Sequence, residues 1–329
     1  MQFRRLGITG IDVSVVGLGG YELGNAGYGR WALEGADPPA TEDIDHVLRA
    51  GLDGGMNWVD TAEEYHATGN ESAIGDALHR VGADDMLICT KLWPAPDGSG
   101  FDGEGVGRGI RGSLERLGRD HVDIYLLHAP DDTGVPLAET WGAMDAIRRE
   151  GLTRAIGLSN FEQAAIEEAA SIARVDVIQQ GLSMVDHLDE RALIRWCGQI
   201  GVGVQCYEPL GSSILTGAIT RDTDVDALWG GHLHEWSLFR RLFEGERFER
   251  SMVVVDHLRG VAARRGTTVS SLAIAWVLAQ PGVTTAIAGS GNPRHVADNA
   301  SAGDLRLDAA ELAELEAVVP LGPAFGESS

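Results

Sequence analysis

The chain has 329 residues and carries 49 acidic against 26 basic side chains, which gives a formal net charge of -23 at pH 7. This charge argues against nucleic acid and anionic membrane surfaces as partners, since both would repel the protein. The apolar fraction of 44% is ordinary for a chain with a hydrophobic core, and the length fits one large domain or two ordinary ones.

Strand-like and helix-like segments alternate along the chain. Residues 3–17 are predicted to form two short strands around a turn, which we interpret as a hairpin cap, with Val13 to Leu18 as the first barrel strand or its approach. Short β-rich runs predict further strands at residues 56–60, 86–90, 122–127, 153–157, 175–179, 202–206 and 284–288. Helices are predicted at residues 41–52, 71–79, 106–117, 136–149, 161–173, 188–199, 251–265, 269–279 and 308–319.

Repeated strand and helix units with short connections predict parallel strands, and about eight of them predict an α/β fold. We expect a single (β/α)8 TIM barrel over residues 1–329 with an N-terminal β-hairpin cap. An open doubly wound sheet is the competing architecture, but no Gly-x-Gly-x-x-Gly motif opens a helix in this sequence. Between Gly211 and Arg250 the pattern loosens, which predicts a long loop over the barrel mouth.

Ionisable residues follow three successive predicted strands. Asp60 ends the first and is followed by Tyr65, Lys91 closes the second, and His128 closes the third. Because parallel α/β proteins carry their chemistry just past the carboxyl ends of strands, these side chains are expected to meet at one rim. Each alone has an ordinary structural interpretation as a loop anchor, a core tyrosine or a buried histidine, and their joint order favours function.

Lys91 is also the single lysine of the chain, since the 26 basic residues comprise it and 25 arginines. A drift from lysine to arginine has spared this position. Chance survival there has odds of about one in 26, and an ammonium and a guanidinium are not interchangeable where a compact charge is needed. The composition therefore supports a specific role for Lys91.

This order of motifs resembles the aldo-keto reductases, and the resemblance extends over nearly the whole chain. It implies a catalytic tetrad formed by Asp60, Tyr65, Lys91 and His128. Tyr65 would donate the proton to the carbonyl oxygen, and Lys91 would lower the pKa of that phenol. Asp60 would hold Lys91 charged and aimed, while His128 would orient the carbonyl through a hydrogen bond.

The resemblance also implies a site for the nicotinamide of the cofactor. Ser159 and Asn160 would hold its carboxamide together with Gln179, and Tyr207 would stack on its ring. Residues 159–162 also fit a capping box for the following helix, and Tyr207 also fits ordinary packing. Both interpretations stay open at these positions.

The adenosine end of the cofactor is implied to contact Ser290, Arg294 and Asn299. This segment departs from the family pattern, because glycine stands where a lysine often does, and His295 follows Arg294. The expected cofactor is NADP, with NAD possible.

The implied activity is NADP(H)-dependent interconversion of a carbonyl (aldehyde, ketone or aldose) and an alcohol by hydride transfer. The alternative is a cofactor-binding regulatory subunit of the potassium-channel β-subunit type, and the complete tetrad favours catalysis. Trp31, Trp93 and Trp229 in predicted mouth loops are candidates for a substrate pocket. Glu22 and Glu64 fit sugar hydroxyls equally well, so aromatic aldehydes and sugars both remain open as the small-molecule substrate.

Cys89, Cys197 and Cys206 form no spaced pair and predict reduced core thiols of a cytoplasmic protein. His232 and His234 have no third ligand at a useful spacing, so no metal site is expected. No apolar run has the length of a signal peptide or of a transmembrane helix, and the oligomeric state is left open.

Overall fold

A computed structural model describes residues 1–23, 41–65, 69–94, 101–225 and 241–320. Within these ranges the strands are β1 (Phe3–Arg5), β2 (Asp12–Ser14), β3 (Val16–Gly19), β4 (Trp58–Asp60), β5 (Leu87–Leu92), β6 (Val122–Leu127), β7 (Thr153–Ser159), β8 (Val177–Gly181), β9 (Gly203–Tyr207) and β10 (Thr285–Gly289). The first two pair antiparallel, and the rest close into a parallel barrel in the order β10-β3-β4-β5-β6-β7-β8-β9. The predicted eight-stranded barrel with an N-terminal hairpin is confirmed.

Helices lie between the barrel strands and continue after the ninth strand. They are α1 (Thr41–Asp53), α2 (Gly69–Val81), α3 (Gly103–Leu117), α4 (Leu137–Glu150), α5 (Gln163–Ile172), α6 (Arg191–Gln199), α7 (Gly245–Arg265), α8 (Val269–Leu278), α9 (Pro293–Ser301) and α10 (Ala309–Glu316). None of the described helices is long and apolar enough to span a membrane.

Strand β6 illustrates why the barrel strands are continuous apolar runs. Successive side chains of a strand point to opposite faces. Ile124 and Leu126 join the apolar cluster inside the barrel, whereas Tyr125 and Leu127 belong to the larger cluster packed against the helices. Every residue of β6 is buried, as expected for a parallel strand covered on both faces.

The N-terminal hairpin fills the barrel at the amino ends of its strands. Leu6 and Ile11 are buried and pack in the inner cluster with Trp58. The hairpin turn also approaches β9 closely. Gly7 has a φ of 52°, and a Cβ there would lie 2.4 Å from the backbone nitrogen of Gly203, so only glycine fits. With this end closed, a ligand has to enter at the carboxyl ends of the strands.

The structure corrects three details of the predicted elements. The expected strand Val13 to Leu18 is divided in two. Asp12–Ser14 pairs with β1 to form the hairpin, and Val16–Gly19 pairs with β10 in the barrel. Helix α7 begins at Gly245 rather than at residue 251, and α9 was not predicted. Of the expected loop over the mouth, residues 226–240 lie outside the described residues.

Candidate active site

Three neighbouring strands bring the predicted tetrad together. Asp60 ends β4, Lys91 is the fifth residue of β5, and His128 directly follows β6. Tyr65 lies in the turn after β4. Because β4, β5 and β6 pair side by side in parallel, their carboxyl ends share one rim of the barrel. The side chains expected to meet from the sequence therefore do meet.

The ammonium of Lys91 is fully buried and makes three hydrogen bonds. It donates to Asp60 Oδ2 at 2.7 Å, to the carbonyl oxygen of Thr61 at 2.8 Å and to Tyr65 Oη at 3.1 Å. All three of its N–H groups are used. Burial alone lowers the pKa of Lys91, but Asp60 and Tyr65 together raise it by more than burial lowers it, so the net pKa lies above its ordinary value.

The pKa of Tyr65 differs from the expectation. Burial raises it, and the opposing effect of Lys91 is smaller, so the net shift is upward rather than downward. The physical reason is that the loss of hydration on burial destabilises the phenolate more than its attraction to the Lys91 ammonium stabilises it. The negative charges of Asp60 and Glu64 nearby add to this effect. In this state Tyr65 keeps its proton at neutral pH.

His128 is surrounded by aromatic rings and one carboxylate. Its ring stands edge-on to Tyr65 and Trp93, with centroid distances of 5.7 and 5.2 Å. Its Nδ1 lies 2.7 Å from Glu64 Oε1. Burial lowers the pKa of His128, partly opposed by Glu64. Tyr21 also packs edge-on against Tyr65, with a centroid distance of 5.0 Å.

Of the proposed pocket tryptophans, the structure describes Trp93. It is 44% exposed beside His128, where a substrate would pass. Trp31 and Trp229 lie outside the described residues. Tyr21, which was not among the predicted pocket residues, is 37% exposed and contacts Tyr65.

Gln179 lies on β8 and contacts the tetrad directly. Its Nε2 donates to Asp60 Oδ1 at 2.8 Å and to Gln205 Oε1 at 3.2 Å. Gln205 Oε1 also accepts from the thiol of Cys89 at 3.7 Å. We call the five side chains joined in this way the hydrogen-bond row: Lys91, Asp60, Gln179, Gln205 and Cys89.

The ionic pair fixes the direction of the hydrogen-bond row. A carboxylate paired with an ammonium only accepts, so the Gln179 atom facing Asp60 has to be the amide nitrogen. Its second N–H then requires the carbonyl oxygen of Gln205. Gln179 Oε1 forms no hydrogen bond with the described residues and remains free as an acceptor.

Ser159, Asn160 and Tyr207 form a second polar group next to His128. Asn160 donates to the carbonyl oxygen of His128 at 3.0 Å and to Ser159 Oγ at 3.2 Å. Tyr207 Oη donates to Asn160 Oδ1 at 2.7 Å. The expected capping box is wrong, because Ser159 ends β7 and Glu162 is the N-cap of α5 without a side-chain bond.

The turn after β9 has an uncommon backbone. Glu208, Gly211, Ser212 and Ser213 all have positive φ, at 52°, 52°, 49° and 76°. Non-glycine residues rarely adopt this conformation, and successive N–H groups in such turns form concave anion sites. The backbone N–H groups of Ser212 and Ser213 donate to none of the described residues. The turn therefore offers a cradle for a negatively charged group.

The three adenosine-end candidates lie on or before α9 but are not equally placed. Asn292 caps the helix by accepting from Arg294 N at 3.0 Å, and Ser290 accepts from Asn292 N at 3.1 Å. The Arg294 side chain is exposed and makes no ion pair with the described residues. Asn299 lies more than one turn further along and is 2% exposed.

A cluster of titratable groups lies beside Tyr207. Ligand atoms of Asp186, His187 and Glu208 lie within 4.8 Å of one another. Asp186 also accepts from Arg241 at 2.8 Å and from Arg247 at 2.5 Å. Two guanidinium charges disfavour a cation here, so we interpret the cluster as an ion-pair network. Burial, with Asp186 adding to it, raises the pKa of Glu208 to about 7.

Sequence reasoning missed the contact of Glu64 with His128. It also missed that Gln205 and Cys89 belong to the hydrogen-bond row. Gln205 carried a usable signal, because it is a single polar residue inside the apolar run from Val202 to Cys206. The three cysteines are free and buried, as predicted.

Comparison with known proteins agrees with the fold. The sequence model of the Aldo/keto reductase family matches residues 25–320, and the chain belongs to this family. The NADH-specific methylglyoxal reductase of Escherichia coli K12 is 31% identical over 328 residues, covering 93% of this chain and 94% of that protein. A probable voltage-gated potassium channel subunit beta from Oryza sativa subsp. japonica is 28% identical over 343 residues, covering 100% and 99%.

Among solved structures, an aldo-keto reductase from Klebsiella pneumoniae in complex with NADPH is similar, with a TM-score of 0.72. It is 28% identical in sequence, and the match covers 98% of this chain and 97% of that one. The family and these neighbours support interpreting the site as that of a carbonyl and alcohol oxidoreductase that uses a nicotinamide cofactor.

Proposed function

We propose that the chain is an NADP(H)-dependent oxidoreductase that interconverts a carbonyl (aldehyde, ketone or aldose) and an alcohol by hydride transfer, with Tyr65 as the proton donor. One observation carries the proposal: the buried ammonium of Lys91 donates to Tyr65 Oη at 3.1 Å. Since the phenol oxygen accepts this bond, its own proton is free to be donated to a substrate oxygen.

The other tetrad members answer the remaining needs of the reaction. A bound nicotinamide would supply the hydride to the carbonyl carbon. Tyr65 would protonate the developing alkoxide, and the ammonium of Lys91 would stabilise the phenolate left behind. Asp60 would keep Lys91 charged and aimed at Tyr65, while His128 would orient the substrate by a hydrogen bond.

Several groups fit a nicotinamide dinucleotide. The free Gln179 Oε1 suits the N–H donors of a carboxamide, with Ser159 and Asn160 next to it. Tyr207 lies at the same rim, where its ring would stack on the nicotinamide. The unpaired N–H groups in the turn after β9 suit a pyrophosphate.

The preference for NADP over NAD rests on Arg294. In a strongly acidic protein, an exposed guanidinium at the start of α9 without a described ion-pair partner suits the extra phosphate. Ser290 and Asn299 would complete the adenosine end. The relatives named above divide on this point, since one is NADH-specific and another is in complex with NADPH.

The test is steady-state oxidation of NADPH and of NADH by simple aldehydes, ketones and aldoses, with the reverse reaction followed on the matching alcohols. We expect many turnovers per protein, and faster oxidation of NADPH. If the protein binds the cofactor but turns over none of these carbonyls, the proposed catalysis is wrong.

A regulatory role is the second candidate, favoured by the similarity to the rice protein described as a potassium channel β-subunit. Co-purification of a partner protein without carbonyl turnover would support it. In either case we propose that residues 1–329 act as one domain, as the family match over residues 25–320 supports.

A further inference from the structure

We propose that Glu63 is a positioning residue for the proton donor: its carboxylate fastens the turn that carries Tyr65 to the backbone of Trp93, and it weakens this hold when it takes up a proton near neutral pH. The inference rests on the proposed function, because it concerns the geometry and the pH dependence of the same site. Glu63 acts through Tyr65 and Lys91 and does not touch the substrate.

The turn after β4 runs along strand β5 and is bonded to it at alternate residues. The N–H of Thr61 donates to the carbonyl oxygen of Cys89 at 2.8 Å. The N–H of Glu63 donates to the carbonyl oxygen of Lys91 at 3.1 Å. The side chain of Glu63 reaches further, and its Oε1 accepts from the backbone N–H of Trp93 at 3.0 Å. Glu63 therefore bonds the turn to two places in this segment.

Tyr65 lies two residues further along the same turn, and its hydroxyl has to stay within reach of Lys91. The ammonium of Lys91 donates to Tyr65 Oη at 3.1 Å and to the carbonyl oxygen of Thr61 at 2.8 Å. A turn that lifted from β5 would lengthen the first of these contacts. A displacement of about 1 Å at a reacting group can slow a reaction by about 10²-fold. Glu63 lies between Thr61 and Tyr65, where its two bonds oppose such a movement.

The carboxylate of Glu63 shares its positive partner with a second acid. Arg116 on α3 lies 2.7 Å from Glu71 Oε2 on α2 and 3.8 Å from Glu63 Oε2. Glu64, the next residue of the turn, adds a further negative charge. Tyr125 on β6 stays neutral, because burial raises its pKa. One guanidinium cannot neutralise both of its acids, and Glu63 is the more distant one.

Glu63 therefore takes up a proton in the neutral range. Burial raises the pKa of Glu63 to about 7, and repulsion from Glu71 and Glu64 adds to the effect, while the N–H of Trp93 and Arg116 oppose it. Because the N–H of Trp93 favours the ionised carboxylate, ionisation in turn strengthens this bond, since the two effects are one coupling free energy. The hold on the turn is strong above pH 7 and weaker below it.

Three members of the tetrad do not titrate in this range. The pKa values of Tyr65 and Lys91 are raised above their ordinary values, the first by burial and the second by Asp60, and burial lowers the pKa of His128. Burial also raises the pKa of Glu208, at the turn after β9, to about 7. An ionisation near pH 7 in the reaction thus points to Glu63 or Glu208, and substitution separates them.

The test follows a single turnover from about pH 6 to pH 8.5, in which NADPH bound to excess protein is oxidised by saturating 4-nitrobenzaldehyde, an aldehyde without an ionisable group. We expect the rate of the parent to rise about threefold or more with a midpoint near pH 7, because an ionised acceptor makes the stronger bond. Glu63→Gln keeps an acceptor oxygen and cannot ionise, so its rate should stay at the low-pH level of the parent. Glu63→Leu should be about tenfold slower than the parent at pH 8, with the Kd of NADPH within twofold.

Asp123→Asn is the matched control. Asp123 Oδ2 accepts from the backbone N–H of Ile88 at 2.9 Å, so it makes the same kind of bond at the opposite, amino end of β5. This variant should lose thermal stability and keep the pH profile of the parent. Loss of the profile here would overturn the inference. So would its loss in Glu208→Gln together with its retention in Glu63→Gln.

A second measurement does not depend on turnover. The amide proton of Trp93 reports the bond to Glu63, and its resonance can be assigned among the eight tryptophans by ¹⁵N-tryptophan labelling and a Trp93→Phe variant. We expect its chemical shift to titrate with a midpoint near pH 7 in the parent and not in Glu63→Gln. A midpoint below about pH 5, as for an ordinary glutamate, or no titration, overturns the inference. A parent without any turnover would refute the proposed function, while this resonance would still decide whether Glu63 holds Trp93.

Discussion

Replacement of Lys91 by arginine keeps the charge of the site and changes its shape. Lys91 is fully buried and its ammonium touches Asp60, Thr61 and Tyr65 within 3.1 Å. A planar guanidinium at this place overfills the barrel rim, which costs about 1–3 kcal/mol of stability. It also loses the compact contact to Tyr65, and a charge-assisted hydrogen bond of about 1.5–3 kcal/mol corresponds to a decrease in kcat of about 10- to 150-fold.

The assay is steady-state kinetics together with a cofactor-binding titration and a thermal unfolding curve on the same preparation. We expect kcat to fall while the Kd of NADPH changes little. Arg154→Lys serves as the matched control, because Arg154 forms an ion pair with Asp123 at 2.5 Å outside the site and should tolerate the reverse exchange. Turnover of Lys91→Arg within threefold of the parent would show that Lys91 is not part of the catalytic machinery.

Three further perturbations test other parts of the structure. Tyr65→Phe should lower kcat by about 10² or more and leave the Kd of NADPH nearly unchanged; near-normal turnover would make His128 the first alternative proton donor. Arg294→Ala should weaken NADPH binding by about 1.5–3 kcal/mol and leave NADH binding unaltered, and an unchanged preference in paired titrations would contradict the assignment. Burial raises the pKa of Glu208 to about 7. Between the usual pKa of a glutamate and pH 7, the folded state therefore binds more protons than the unfolded state. The free energy of unfolding falls as the pH rises through this window. Glu208→Gln should therefore raise the free energy of unfolding at pH 8 by about 1–3 kcal/mol and much less at pH 4.5, and equal effects in denaturant titrations at both pH values would refute the argument.

The barrel, and the position of Asp60, Tyr65, Lys91 and His128 at one rim, were predictable because both depend on local patterns. Short apolar runs that alternate with amphipathic helices define the strands, and the ionisable residues follow directly where three of those strands end. Lys91 was additionally marked by composition, as the single lysine of the chain. No further information is needed to place these residues together, because the carboxyl ends of neighbouring parallel strands lie at the same rim of a barrel.

Other features depend on contacts that sequence spacing does not contain. Glu64 and His128 are 64 positions apart in the sequence, and they meet because the strands they follow, β4 and β6, are separated in the barrel by β5 alone. Helix α9 escaped prediction because it has only three buried residues, which leaves no clear apolar stripe. The break between β2 and β3 falls at Val15, inside a β-rich run in which Ser14 is the one polar residue, and a single serine does not mark the end of a strand.

The hydrogen-bond row has a consequence for how such an enzyme can change over generations. On the proposed roles, the same ionised Asp60 that aims Lys91 also sets the rotation of the Gln179 amide, on the opposite wall of the barrel. A substitution that alters the proton chemistry would therefore loosen the hold on the nicotinamide, and selection cannot adjust one without the other. Helix α9 shares none of these bonds. The choice between the two cofactors is thus free to drift among relatives, while the reacting end stays fixed.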